Sequence, residues 1–315
     1  MVQNRIKKFI SALIFTELHI KLILKEVKNH MYGLLCISVL AASFNSVLLN
    51  KAQIGKNEIF NFNLLLSLVW CIILFILNNG TIHIDSWILF WGIIYGITQA
   101  VFVLFKTAAM GSGPVSITTL IGNCSLFITV FISLIIWNES ITVFDIIGLV
   151  LLLAAIFLCT YKKTDASYAS AWKYYVLIFF VFAALVGIVF KAFGKSDKSM
   201  YCNDMMLVSA AVMLICYSAS CMFTGGFKLK SYNKNQKVRF LIYAILCGGM
   251  SLLYNRLNVV LAGSIPAVIF FPAFNGGVVL LSSILSICIC RERLAIRQAI
   301  GILTGIISLT LIGLL

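Results

Sequence analysis

The chain has 315 residues, of which 62% are hydrophobic and 11% charged, and 24 Lys and Arg stand against 10 Asp and Glu. With a mean hydropathy of +1.06, it lacks the polar surface that a soluble domain of this size must turn to water, which excludes a soluble enzyme. The formal charge of +14 is no nucleic-acid signal, because the basic residues sit in a tail and in loops and form no face interleaved with aromatics.

The first thirty residues differ from the rest. Arg5, Lys7, Lys8, Lys21, Lys25 and Lys28 interrupt the apolar runs Phe9–Phe15 and Ile20–Leu24. This pattern predicts a basic amphipathic helix over residues 1–30 that lies on the membrane. No small-residue cleavage site follows a clean apolar core, so the segment does not read as a signal peptide. Met31, directly before the first span, is an alternative start.

Apolar runs long enough to cross ~30 Å of hydrocarbon then recur along the chain. The first five are Tyr32–Leu49, Phe62–Leu77, Trp87–Phe105, Val115–Trp137 and Val143–Tyr161. After a polar linker at 162–173 come Tyr174–Phe190, Met205–Phe223, Phe240–Leu261, Ala267–Cys290 and Ile296–Leu315. No segments of ~10 residues with alternating polarity appear, so a β-barrel is not the reading. The expectation is an all-α membrane protein with about ten transmembrane helices. Of ten cysteines, Cys36, Cys71, Cys124, Cys159, Cys216 and Cys247 lie inside apolar runs, where cysteine acts as a small hydrophobe. Cys288 and Cys290 fit neither a zinc nor a Cys-x-x-Cys pattern.

An internal repeat organises the spans. Gly111-Ser112-Gly113-Pro114 aligns with Gly263-Ser264-Ile265-Pro266, and the same shift sets Gly96 on Gly248 and Asn123 on Asn275. One further residue brings Asn138-Glu139-Ser140-Ile141 onto Arg291-Glu292-Arg293-Leu294, and Gly148 onto Gly301. The repeats are residues 31–161 and 174–315. Five spans each is an odd number, so the second half is inverted relative to the first. Two inverted five-helix repeats around one midplane site are a common plan of secondary transporters.

Two segments carry a family resemblance. One is Gly113-Pro114-Val115-Ser116, an apolar run to Trp137, Asn138-Glu139-Ser140 and Asp145-Ile146-Ile147-Gly148. The other is Ser264-Ile265-Pro266-Ala267, an apolar run to Cys290, Arg291-Glu292-Arg293-Leu294 and Gln298-Ala299-Ile300-Gly301. With Lys51 closing the first span, the chain resembles the drug/metabolite transporter superfamily, in its EamA-like branch of ten-helix carriers. The resemblance covers residues 31–315. It implies a ten-helix fold, transport of a small metabolite such as an amino acid or amine, and both termini in the cytoplasm.

Polar groups inside the spans are the informative side chains, because burying them in lipid is costly. Asn45, Gln99, Asn123, Tyr254, Asn255, Arg256, Asn258 and Asn275 are the candidates, with the aromatics Trp91 and Tyr95 beside them. They line a substrate-binding cavity or serve as interhelical hydrogen-bonded contacts. Arg256, Lys106 and Lys191 have snorkelling to the interface as their alternative. Glu139 and Glu292 fall between spans and read as acids favouring the dipole of the following helix. Gly92-x-x-x-Gly96 and Gly301-x-x-x-Gly305 read as close helix packing. Gly194-Lys195-Ser196 lacks the partner glycine of a phosphate-binding loop, because Val189 stands there.

The expected function is a secondary transporter for a small polar metabolite in the cell membrane, working by alternating access. The alternatives are a flippase for a lipid-linked substrate and a membrane-embedded enzyme. No catalytic constellation, metal site or cofactor is expected. The partners are a small-molecule substrate and membrane lipids, with no nucleic acid, and the chain is a monomer or homodimer. The basic loops around Lys162, Lys163 and Lys173, and from Lys228 to Arg239, favour both termini outside. The basic tail and the family resemblance favour the opposite orientation.

Overall fold

The computed structural model describes residues 30–49, 51–52, 58–113, 115–160, 171–223, 234–290 and 296–313. The basic tail, the linker after the fifth span and Glu292 lie outside the described residues. All regular structure among the described residues is helical. The helices are α1 (His30–Leu49), α2 (Ile59–Leu77), α3 (Ser86–Ser112), α4 (Val115–Trp137), α5 (Val143–Thr160), α6 (Trp172–Gly194), α7 (Cys202–Phe223), α8 (Lys234–Ser264), α9 (Ala267–Cys290) and α10 (Ile296–Gly313). A short 3-10 turn, Ser199–Tyr201, leads into α7. Several helices overrun the apolar stretches that announced them, because polar residues at their ends continue the backbone ladder. Residues 234–239, for example, form the first turns of α8.

Among the described residues eight helices are long and apolar enough to cross a membrane; the apolar stretches Val143–Cys159 of α5 and Ile296–Ile312 of α10 are shorter. Such a stretch spans about 26 Å at 1.5 Å per residue, close to the hydrocarbon thickness. α5 and α10 pack along each other, with the Ser308 hydroxyl donating to the Gly148 carbonyl at 2.7 Å.

Local chemistry sets the helix ends that matter for the site. Asn79 (φ 51°) and Gly80 (φ 73°) turn the chain after α2 through left-handed backbone. Asp85 then caps α3 by accepting from the Ile88 amide at 2.8 Å. Asn138 (φ 49°) breaks α4 in the same way. Thr142 and Asp145 form a reciprocal capping box at the start of α5, with Thr142 N donating to Asp145 Oδ2 at 2.9 Å and Asp145 N donating to Thr142 Oγ1 at 3.2 Å.

The two halves interlock. α2 packs on α7, α4 on α9 and α5 on α10. The contact of α3 with α7 is matched by that of α8 with α2. The α3–α6 contact has its counterpart where Ser38 of α1 hydrogen-bonds Asn258 of α8. Exchanging each helix for the one five places away carries these pairs onto one another. Close packing relies on small residues: a Cβ on Gly92 would come within 2.7 Å of Val208, and one on Gly96 within 2.7 Å of Val212, both on α7. Large apolar side chains such as Phe131, Ile135, Val150 and Ile215 stand exposed on the outside, as a lipid-facing surface requires.

Candidate functional site

A cavity of about 220 Å³ lies among α3, α4, α6, α8 and α9. Helical periodicity builds its walls. From α3 come Gln99, Phe102 and Lys106, three and seven residues apart along one face. From α4 come Thr119, Gly122, Asn123, Leu126 and Thr129. α6 supplies Phe179, Gly187 and Phe190, and α8 supplies Tyr254, Asn255 and Asn258. α9 closes the ring with Phe270, Phe271, Phe274 and Asn275. Pro272 lies inside α9 between these residues and has no N–H to donate to the preceding turn.

The polar wall is partly committed and partly open. The Asn258 carbonyl oxygen accepts from Ser38 Oγ at 2.6 Å, which leaves its amide N–H groups as donors. Asn255 accepts from the Tyr95 hydroxyl at 3.1 Å and donates to the Ser251 carbonyl at 2.7 Å. Asn275 donates to the Phe271 carbonyl at 3.0 Å. Gln99 Oε1 is buried with no hydrogen-bond partner among the described residues. The Lys106 ammonium lies 5.7 Å from the centre of the Phe102 ring, and among the described residues no carboxylate pairs with it.

The two ends of the bundle are built differently. At one end Glu139, directed by the left-handed turn at Asn138, reaches across to the other half. Its Oε1 lies 2.6 Å from the Lys191 ammonium and 3.4 Å from that of Lys195, and its Oε2 accepts from the Ala267 amide at 2.7 Å. Lys191 is fully buried and also donates to the Ile265 carbonyl at 2.8 Å. Lys198 pairs with Asp85 nearby, and Asn78 donates to Asp204 at 2.7 Å. There α6 and α8 cross backbone to backbone, since a Cβ on Gly194 would overlap the Val259 carbonyl and one on Gly263 the Gly194 carbonyl. At the other end the contacts are aromatic. Phe102 meets Phe179 at 5.3 Å, Phe105 meets Tyr175 at 6.0 Å, and Trp172 Nε1 donates to Thr118 at 3.1 Å.

Residues 30–161 match the model of the EamA-like transporter family. Over those residues the first half of the chain is similar to the EamA-like transporters. No curated protein matches it significantly. A solved crystal structure aligns over 91% of this chain and 97% of its own, with TM-score 0.69 and 12% sequence identity, and that likeness shows the fold alone. The EamA-like first half and the eight long apolar helices among the described residues support a multi-pass membrane protein.

Within the bundle the candidate residues separate into groups. Gln99, Asn123, Tyr254, Asn255, Asn258 and Asn275 come together on the cavity wall. Tyr95 is fully buried behind it and touches the wall through its hydrogen bond to Asn255 and its ring contact with Phe190 at 5.4 Å. Asn45 is buried on α1 away from the cavity, its Oδ1 without a partner among the described residues. Trp91 packs edge-on against Trp87 at 5.8 Å and does not line the cavity. Arg256 turns to the opposite face of α8 from Asn255 and Asn258. There it is exposed beside a second pocket with Asn203, Ser199 and Ser264. Arg256 is one residue, about 100° of helix, from Asn255 and two residues, about 200°, from Tyr254 and Asn258, which is why its neighbours in sequence are not its neighbours on the surface.

Three readings change at the ends of the spans. Glu139 stands at the start of α9, not of the following helix α5, whose first turn is served by Thr142 and Asp145. Lys191 does not snorkel but is held in an internal ion pair. Lys106 faces the cavity. Phe179 and Phe190 of α6 and Phe270, Phe271 and Phe274 of α9 are wall residues that the sequence did not single out. Phe270 and Phe274, four residues apart on one face of α9, were the available signal.

Proposed function

We propose that this chain is a secondary carrier that moves a small polar metabolite, an amino acid, an amine or a similar solute, across the cell membrane by alternating access. The supporting observation is the cavity itself, because helices of both halves wall it. Residues 31–161 and 174–315 act as two inverted repeats that rock against each other around it. In the conformation described, ionic contacts between the halves gather at the Glu139 end. Rocking would release these and tighten the aromatic contacts at the Trp172 end.

Gln99, Asn123, Asn258 and Asn275 carry the polar recognition, and Tyr254 with the phenylalanines shapes the apolar remainder. The cavity is smaller than the ~300–1,000 Å³ of a site for drug-sized ligands, which favours a metabolite over a lipid-linked substrate. The chain does no covalent chemistry in this account, and its partners are the solute and the surrounding lipid.

Reconstitution into liposomes tests this reading. Vesicles preloaded with an unlabelled metabolite should accumulate its labelled form by counterflow, and Asn258→Ala and Asn123→Ala should each reduce the rate. Absence of counterflow across a broad metabolite panel would overturn it.

A further inference from the structure

The charge inside the cavity narrows the solute. Among the described lining residues Lys106 is the one charged group, and no Asp or Glu stands with it. An uncompensated cation inside a membrane-spanning bundle is costly and marks a site where a partner is to be supplied. Its contact with the Phe102 ring offers a quadrupole and no counter-charge. Among the described residues the carboxylates that pair with lysine are elsewhere, at the Glu139 end, on Lys191, Lys195 and Lys198.

Resting on the carrier reading above, we propose that the solute bears a carboxylate that pairs with Lys106 and enters from the Trp172 end. Lys106 lies six residues before the end of α3, so ~9 Å of helix separates it from that end of the bundle. A solute entering from that end therefore meets Lys106 and Asn123 before Phe102, and Gln99 and Asn258 lie deeper. A single ammonium balances a single carboxylate, with charge-assisted hydrogen bonds of the strong kind. A phosphate monoester carries about −1.5 to −2 at neutral pH, more than this wall neutralises. A plain amine would be repelled by Lys106 and would find no acid to bind. The uncommitted N–H groups of Asn258 suit a second acceptor on the solute. The bare oxygen of Gln99 suits one hydroxyl or amino donor. A small hydroxy or amino carboxylic acid satisfies all three.

The test uses the purified full chain in detergent. Ligand-induced thermal shifts are read for four-carbon monocarboxylates, with and without an α-amino or hydroxyl group. The primary amine and primary amide of the same skeleton, and a short alkyl phosphate, are read alongside. Carboxylates are expected to stabilise the protein and the amine and amide to do so at least ten-fold more weakly in affinity. Lys106→Gln should reduce carboxylate affinity at least ten-fold and erase the preference for acid over amide, whereas Lys106→Arg should keep that preference. Amines binding as well as acids, phosphate binding in place of carboxylate, no binding of any carboxylate, or unchanged selectivity in Lys106→Gln would each overturn the assignment. Should Lys106→Gln fail to purify as a folded species, the wild-type acid-to-amide ratio and Lys106→Arg decide it. Counterflow is read separately. Carboxylates that bind at Lys106 but are never carried would overturn the carrier reading and leave this assignment standing. Amines carried unaltered by Lys106→Gln would do the reverse.

Discussion

The ammonium of Lys191 on α6 is fully buried and lies 2.6 Å from Glu139, a residue of the α4–α5 turn whose other oxygen accepts from the first amide of α9. One carboxylate thus satisfies a buried cation, the positive end of a helix and a second lysine, and it joins the first half of the chain to the second. Removing one partner of a buried pair leaves an uncompensated charge and costs about 3–5 kcal/mol. Lys191→Met and Glu139→Gln should each destabilise the detergent-purified protein by that order. The double variant should be less unstable than the sum of the two. A double-mutant cycle on unfolding midpoints checks this, and additivity within ~0.5 kcal/mol would show that the two groups are not coupled.

The crossing of α6 on α8 makes a sharper steric prediction. Gly194 and Gly263 leave no room for a methyl group, because the obstructing atoms are main-chain carbonyls. Overpacking of this sort costs about 1–3 kcal/mol. Gly194→Ala and Gly263→Ala should lower the melting temperature and loosen the Glu139 end. Gly249 on the same helix has nothing within 4 Å of a built Cβ. Gly249→Ala should be neutral or slightly stabilising, since alanine favours helix over glycine by ~1 kcal/mol. Equal losses at all three positions would contradict the packing.

The Asp85–Lys198 pair lies outside the spans and titrates. The Lys198 hydrogen bond, with help from the Ile88 amide, holds the Asp85 carboxyl below its usual range, and the same bond raises Lys198. A depressed carboxylate contributes stability that is full above its unfolded pKa of ~3.9 and lost as pH falls through the lower folded value. A raised lysine contributes below its unfolded pKa of ~10.4 and loses that as pH rises through the higher folded value. The pair therefore contributes on a plateau through neutral pH. Asp85→Asn keeps a helix-capping side chain and removes the charge. The stability difference between wild type and this variant should be small, salt-sensitive, constant near neutrality and absent in strong acid. A difference that persists in acid would assign it to the cap instead of the pair.

Much of the architecture was legible because lipid imposes a coarse rule: spans must be apolar over their full length. Gly92 and Gly96 were readable as packing positions from spacing alone. Six of the ten polar and aromatic candidates meet on the cavity wall, since amides in spans must turn inward. What failed was direction. Asn255, Arg256 and Asn258 are a cluster in sequence, but Arg256 leaves by another face of α8. Glu139 could not be assigned from sequence because its partners, Lys191 and Ala267, stand 52 and 128 positions away and meet only through the interlocking of the halves. Lys106 looked like an interfacial lysine because hydropathy does not say which face of α3 turns to the cavity.

The central claim is reciprocal motion of the two ends about the cavity, and paired spin-label distances test it most directly. On a cysteine-free background, Thr81→Cys with Ser264→Cys reports the Glu139 end, and Ser112→Cys with Asn235→Cys reports the other. Breaking the ionic contact by Lys191→Gln should lengthen the first distance and shorten the second in the same reconstituted sample. Lengthening at both ends, or a change confined to one, would contradict the account.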